Sequence, residues 1–300
     1  MKYFYTDRKV VVTGGCGFIG SHLATELVRL GAHVTIIDDL STGNLQNIAL
    51  IKSQVIFINK SIVDYDACLA ATKDADIIFH LAAFISVPLS LEQPQQCHQT
   101  NVEGLVNILE AARVQGIKHL TFSSSAAVYG ATDQVCTENS PTHPESPYGY
   151  SKLIGELYCQ QYAKNFGINA VILRYFNVYG PGQNPNGSYA AVVAKFMHQM
   201  EKNEPITIFG DGRQTRDFVP VSEVVHANLV LAMKADQCAG DIFNIAMGRS
   251  ITLLELIDQL KIEFPAYTAR PLFMPARAGD LKSSSADCRK YRCMVGQVQG

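Results

Sequence analysis

Charge is scarce in this chain, and what there is nearly cancels. Asp, Glu, Lys and Arg make up 17% of the 300 residues and leave a formal net charge of −2. No Lys/Arg-rich run interrupts that balance, so there is no basic field to attract nucleic acid. Long apolar runs are also missing: Pro, Gly, Ser or charge breaks each apolar segment well short of the ~20 residues a membrane helix needs. No membrane partner is expected. The opening "MKYFYTDRKVVVTGG" lacks the apolar core of a secretory leader. The eight cysteines form no C-x-x-C pair, which speaks against a disulfide framework or a zinc site and for reduced thiols in a cytoplasmic setting. With no H-E-x-x-H and no carboxylate cluster, no metal is expected. Internal repeats and low-complexity tracts are absent too.

What is present is a 47% apolar fraction on a chain long enough for one large domain or two smaller ones. β-rich runs, "KVVVTG", "HVTIID", "QVIFIN", "ADIIFHLA", "HLTFSS" and "AVILRY", alternate with helical patterns. "IGSHLATELVRLG" and "TNVEGLVNILEAARVQG" carry apolar residues at three- and four-residue spacing and end on Gly31 and Gly116. Such alternation predicts right-handed βαβ units, hence an α/β fold with a doubly wound parallel sheet of the Rossmann type. After about Tyr175 the rhythm loosens into "NVYGPGQNPNG", a helix near "AAVVAKFMHQM", a short "ITIFG" strand and a helix at "VSEVVHANLVLAM". The reading is a nucleotide-binding domain over 1–176 plus roughly 218–246. A smaller mixed substrate domain is expected from 177–217 and 247–300.

"VVVTGGCGFIGSH" runs from strand through glycine turn to helix start. Gly14, Gly17 and Gly20 are spaced by three. Glycines there permit the tight turn, let backbone N–H groups approach a pyrophosphate and seat the helix against the sheet, with the helix N-terminus facing the anion. Asp38 ends the second strand. Its carboxylate suits ribose hydroxyls and repels a 2′-phosphate, and "DDLSTGN" offers no Arg or Lys to neutralise one, so NAD is favoured over NADP.

"HLTFSS" leads into "SSSAAVYG" at the carboxyl end of a strand, where ligands sit in open parallel sheets, and "SPYGYSK" follows. Ser125, Tyr148 and Lys152 are thereby placed to converge near the nicotinamide. A tyrosine of ordinary pKa is ionised about one part in a thousand at neutral pH. Lowering that pKa by about three units takes roughly 4 kcal/mol of preference for the phenolate. The Lys152 cation and the nicotinamide charge are the expected sources, with Tyr148 as general base, Ser125 sharing the substrate oxygen and Lys152 also holding the cofactor ribose.

With "TGGCGFIGSHL", "HLAAFISVP", "SSSAAVYG", "SPYGYSK", "LRYFNVYGPGQ", "RDFVPV" and "RAGDLKSSSAD" in order, the chain resembles the extended short-chain dehydrogenase/reductase family over nearly its whole length, and within it the nucleotide-sugar 4-epimerases. The resemblance implies that Gly14, Gly17, Phe18, Ile19 and Gly20 cradle the pyrophosphate. It puts Asp38, Asn44 and Ile62 on the adenosine half, and Ala82, Ala83, Tyr148, Lys152 and Tyr175 around the nicotinamide. Asn177, Arg216, Arg277 and Asp280 fall where the family holds the nucleotide-sugar, and a guanidinium fork suits a pyrophosphate. A homodimer through "TNVEGLVNILEAARV" and "YGYSKLIGELYCQQYA" is also implied. The chain departs from the family at Lys60-Ser61-Ile62, where Gly-Asp-Ile is usual. It departs again at "KYRCMVGQVQG", where relatives continue through a final helix, so truncation or divergence of the substrate domain is expected there.

The activity implied is 4-epimerisation of a UDP-hexose on tightly bound NAD that is regenerated each cycle. Dehydratases resembling this protein carry Asp-Glu after the serine or threonine; here those positions are Ala126 and Ala127. An acid-sugar epimerase acting on UDP-glucuronate stays open. A catalytically silent sensor on the same fold would be marked by loss of Ser125, Tyr148 or Lys152, and all three are present. Ser284 falls where glucose-restricted epimerases of this kind carry a bulky tyrosine. Room for an N-acetyl group is expected there, with Ser86 and Ser284 as hydrogen-bond partners. UDP-N-acetylglucosamine and its galacto epimer are therefore the expected substrates, with UDP-glucose weaker.

Overall fold

The β-branched runs become strands because each alternates its side chains between two helix-covered faces. The computed structural model describes residues 1–185, 192–275 and 283–296. Six strands fall on the predicted runs: β1 (Lys9–Thr13), β2 (His33–Ile37), β3 (Val55–Ile58), β4 (Ile77–His80), β5 (His119–Ser125) and β6 (Asn169–Tyr175). All pair in parallel in the order β3-β2-β1-β4-β5-β6, and the strand Ile242–Ile245 adds beyond β6. The order reverses between β1 and β4, so their carboxyl ends open a crevice at the switch point.

β1 shows how the core is divided. Val10 and Val12 face one side with Leu23, Leu27 and Leu229; Val11 faces the other with Leu105, Ile108 and Leu109. The helices Phe18–Arg29 and Val221–Met233 cover the first face, and Gly104–Gln115 and Pro147–Phe166 cover the second. This is the doubly wound Rossmann-type sheet the alternation predicts.

The helix expected from Thr100 begins differently. Gln99–Glu103 forms a wide π-type turn, and the regular helix runs from Gly104 to Gln115. The buried Asn101 accounts for the extra width: its amide oxygen accepts from the Phe84 backbone at 2.7 Å and its nitrogen donates to Ser151 Oγ at 2.8 Å. Widening the turn lets that amide reach inward.

Beyond β6 the chain adds two-stranded pieces: Phe218–Pro220 beside Asn177–Tyr179, Ile251–Thr252 beside Thr215–Arg216, and Leu272–Met274 beside Thr207–Phe209. The helices Val192–Glu201 and Leu253–Glu263 share a separate apolar cluster with Ile206, Ile208 and Phe218. Helix Arg289–Gly296 packs on the main sheet, through Tyr291 against Phe243 and Ile245.

Candidate active site

A cleft of about 770 Å³ runs along the carboxyl ends of the strands. At its centre is the glycine turn. Gly14 sits at φ 69°, a conformation that favours glycine, and Gly17 caps the helix Phe18–Arg29. A Cβ on Gly20 would stand 2.1 Å from the Gly14 carbonyl oxygen, so this crossing of turn and helix admits no side chain. The first-turn N–H groups of Phe18, Ile19 and Gly20 have no partner within the helix and face the cleft end of the helix dipole. That is a built cradle for a pyrophosphate, and it fits a dinucleotide.

Asp38 is buried at the adenosine end. One carboxylate oxygen accepts from Cys16 N and the other from Leu40 N, each at 2.8 Å. Burial raises its pKa, and these two bonds pull the other way. Each oxygen still has a lone pair for a ribose hydroxyl. Ile62 is buried beside Asp38, Ser61 and Lys60 in the same wall. Asn44 is used elsewhere: its side chain caps the turn Leu45–Ile48 by accepting from Gln46 N, and it is not among the cleft-lining residues. Asn47 is, held by a 2.8 Å bond to the Cys16 carbonyl.

Ala82, Ala83, Ser125, Tyr148, Lys152 and Tyr175 come together at the other end. Their placement begins with a cap. The Ser146 hydroxyl accepts from Gly149 N at 3.1 Å and Pro147 opens the helix, so Tyr148 sits in the first turn and Lys152 one turn later on the same face. Lys152 Nζ donates to the Ser123 carbonyl at 2.8 Å and stands 5.9 Å from the Tyr148 ring centre. Ser125 stands beside the Tyr148 phenol and favours its ionised form, and its hydroxyl accepts from Ala127 N.

Burial governs the electrostatics of this pair. It is the largest influence on Tyr148 and pushes its phenol above the ordinary value, against the influence of Ser125. Burial also lowers Lys152 to about 8, so its cation is itself weakened. Lys152 alone does not supply the depression of the phenol that a base of matched strength needs.

A second chamber of about 220 Å³ shares Ser125, Tyr175 and Phe176 with the cleft and is otherwise lined by Asn177, Arg216, Ser283 and Ser284 among others. Asn177 Nδ2 donates to the Asp217 carbonyl at 3.1 Å and Arg216 Nη1 to the Thr215 carbonyl at 2.9 Å. Ser284 is fixed by its backbone: its N–H donates to Thr215, and its carbonyl accepts from Asp217 N and the Ser250 hydroxyl. Ser86 lines neither chamber; it caps the helix Val87–Glu92 by accepting from Leu89 N. Arg277 and Asp280 lie outside the described residues.

Sequence reasoning missed the groups that brace this end. Thr13 Oγ1 accepts from Leu81 N and Ala82 N, so its hydrogen goes to His80 Nδ1 at 3.0 Å and keeps that buried ring neutral. Burial takes His80 down to about 3. Asn228 Nδ2 donates to the Tyr175 phenol at 2.7 Å, which shares a 3.0 Å hydrogen bond with Ser123 Oγ. Thr13 and Asn228 stand in ordinary-looking strand and helix runs, and nothing local marks them.

The family model described as NAD dependent epimerase/dehydratase family matches residues 10–246. A UDP-glucose 4-epimerase of Mycolicibacterium smegmatis is 37% identical over 96% of this chain and 92% of its own length. Among solved structures, a UDP-N-acetylglucosamine 4-epimerase from Methanobrevibacter ruminantium, in complex with UDP-N-acetylmuramic acid, is 36% identical with a TM-score of 0.91, covering 96% of this chain and 92% of that one. A UDP-glucose 4-epimerase from Thermotoga maritima with UDP-glucose is 37% identical with a TM-score of 0.89, covering 95% and 91%.

Proposed function

The chain belongs to the NAD dependent epimerase/dehydratase family and is an NAD-dependent UDP-sugar 4-epimerase, and we propose that its preferred pair is UDP-N-acetylglucosamine and UDP-N-acetylgalactosamine. The observation that carries the substrate assignment is Ser284: a small hydroxyl side chain, backbone-locked, in the wall of the second chamber. Leaving room there admits an N-acetyl group, whereas a bulky ring would exclude it. Room alone rejects little, so UDP-glucose remains a weaker substrate.

NAD, when bound, supplies a hydride acceptor that becomes the donor within the same cycle. The chain's own residues do the rest. Tyr148 takes the proton of the sugar's C4 hydroxyl, Ser125 holds that oxygen and the phenol in one hydrogen-bond line, and Lys152 keeps a positive charge beside them. Gly14, Gly17 and Gly20 with the helix N-terminus bind the pyrophosphate, and Asp38 takes the adenosine ribose. Asn177, Arg216 and Ser284 receive the nucleotide-sugar in the second chamber. Ala126 and Ala127 line that chamber, and no carboxylate stands among its described lining residues, so the acid and base that dehydration needs have no candidate there.

Incubating the purified protein with UDP-glucose, UDP-N-acetylglucosamine and UDP-glucuronate and identifying products by NMR tests the assignment. The acetylated sugar should give the largest kcat/KM; a clear preference for either of the others would overturn it.

A further inference from the structure

The mechanism leaves one fully buried ion pair unused. Glu156 and Arg174 have side chains 1% and 3% exposed and meet as a two-pronged pair, Nε to Oε1 at 2.8 Å and Nη2 to Oε2 at 2.6 Å. A buried pair of this kind is not by itself a gain in stability, because both charges lose their water. Its position gives it another use. Glu156 follows Lys152 by four residues and Tyr148 by eight, so all three stand on one face of the helix Pro147–Phe166. Arg174 is on β6, directly across from Ser124 on β5; the next register pair along is Ser125 with Tyr175. The Ser124 hydroxyl donates to the same Glu156 oxygen that receives Arg174 Nε. One carboxylate therefore ties the helix bearing Tyr148 and Lys152 to both strands, one residue short of Ser125. The Arg174 guanidinium also lies 4.7 Å over the Tyr129 ring, whose hydroxyl donates to Asn244 and whose residue lines the second chamber.

We propose that Glu156 and Arg174 are positioning residues for the epimerase reaction, setting Ser125 against the Tyr148 phenol and keeping a carboxylate one helical turn from Lys152. The inference rests on the 4-epimerase reading for its kinetic test only. The titratable groups that face Lys152 are Cys97 from the helix Pro94–His98, Tyr148, Cys159 and Glu156 from its own helix, and His80 from β4. Of these Glu156 alone is paired with a buried cation, so neutralising the pair changes the charge pattern around Lys152.

Two variants test it. Glu156→Gln/Arg174→Gln removes both charges together, leaving neither stranded, and keeps amides able to hydrogen-bond each other. Ser124→Ala removes only the hydroxyl link. In both, NAD content, the circular dichroism spectrum and KM for the UDP-sugar should stay near wild type. In the double variant kcat should fall at least ~10-fold, a loss confined to the transition state, and the pH at which its profile levels off should move. Ser124→Ala should fall several-fold with that pH unchanged. Crystal structures should find Ser125 displaced relative to the Tyr148 phenol in the double variant. Unchanged kcat and an unmoved Ser125 would overturn the proposal, as would losses of kcat that merely track lost NAD and lost fold. If wild type turned over no UDP-sugar, the functional reading would fail, while the crystallographic comparison would still decide the positioning role.

Discussion

Tyr148 is a phenol that its own protein makes a weaker acid, and that fact shapes the pH behaviour to expect. Burial raises it, Ser125 opposes burial, and Lys152, lowered to about 8, is the nearby cation. Turnover needs the base form of Tyr148 and the charged form of Lys152. kcat should therefore rise with pH up to Lys152's value near 8, hold level beyond it while each gain in phenolate is matched by a loss of ammonium, and fall only above the raised value of Tyr148. Tyr148→Phe should lower kcat by about a hundredfold or more, the lower end of what a positioned general base contributes. Bound NAD should survive, because one hydroxyl is lost; near-normal turnover would make the phenol structural. At Ser284 the change is one of volume. Ser284→Tyr puts a ring into the second chamber and should depress kcat/KM for UDP-N-acetylglucosamine far more than for UDP-glucose. An unchanged ratio would remove Ser284 from the sugar's surroundings.

The helix Pro147–Phe166 carries chemistry on one face and apolar side chains on another. Leu157 is 58% exposed on the side away from Tyr148, and Val114 on the neighbouring helix Gly104–Gln115 is 58% exposed. We propose that a second copy of this chain covers them in a symmetric dimer, where identical apolar patches meet across a two-fold axis. Sedimentation should give a dimer for wild type, and Leu157→Glu should shift it toward monomer while leaving the spectrum of the fold unchanged. A wild-type monomer at every concentration would dismiss the interface. The same helix measures how much could be read from sequence. Its cap Ser146, its proline and the Tyr148/Lys152 spacing are local signals, and the glycine turn and the six strands are local as well. What stayed hidden was non-local. Glu156 is an unremarkable helix glutamate until β6 brings Arg174 to it, and the strand Ile242–Ile245 is four residues that only its neighbour β6 defines. Asn44 and Ser86 failed to reach the cleft because each hydroxyl or amide was spent on the nearest helix end. Local competition for a side chain is invisible in a motif.

At the scale of the whole molecule the thiols set a limit. Seven of the eight cysteines are buried and Cys293 is exposed. Burial pushes Cys16, Cys68 and Cys238 each up to about 12, with nearby carboxylates adding to the rise, and it pushes Cys159 higher still. A thiol whose folded pKa exceeds its unfolded one keeps more protons in the folded state. Its contribution to stability is complete below the unfolded value, near 8.5, and is lost progressively as pH climbs toward the folded value. Lys152 works in the opposite sense, since its folded value near 8 lies below its ordinary 10.5, so between those limits rising pH relieves its burial. Four raised thiols outweigh one lowered amine, so the melting temperature should be level around pH 7 to 8 and fall steadily from about pH 9 upward. The exposure pattern adds a count that needs no assumption about pKa: a thiol reagent should titrate Cys293 rapidly in the native protein and all eight only after unfolding. Thermal melts by circular dichroism across pH 7 to 11, with thiol titration at each pH, test both. A melting temperature that held level across that range would mean the buried cysteines ionise as easily folded as unfolded. Rapid native labelling of several thiols would put the seven within reach of solvent.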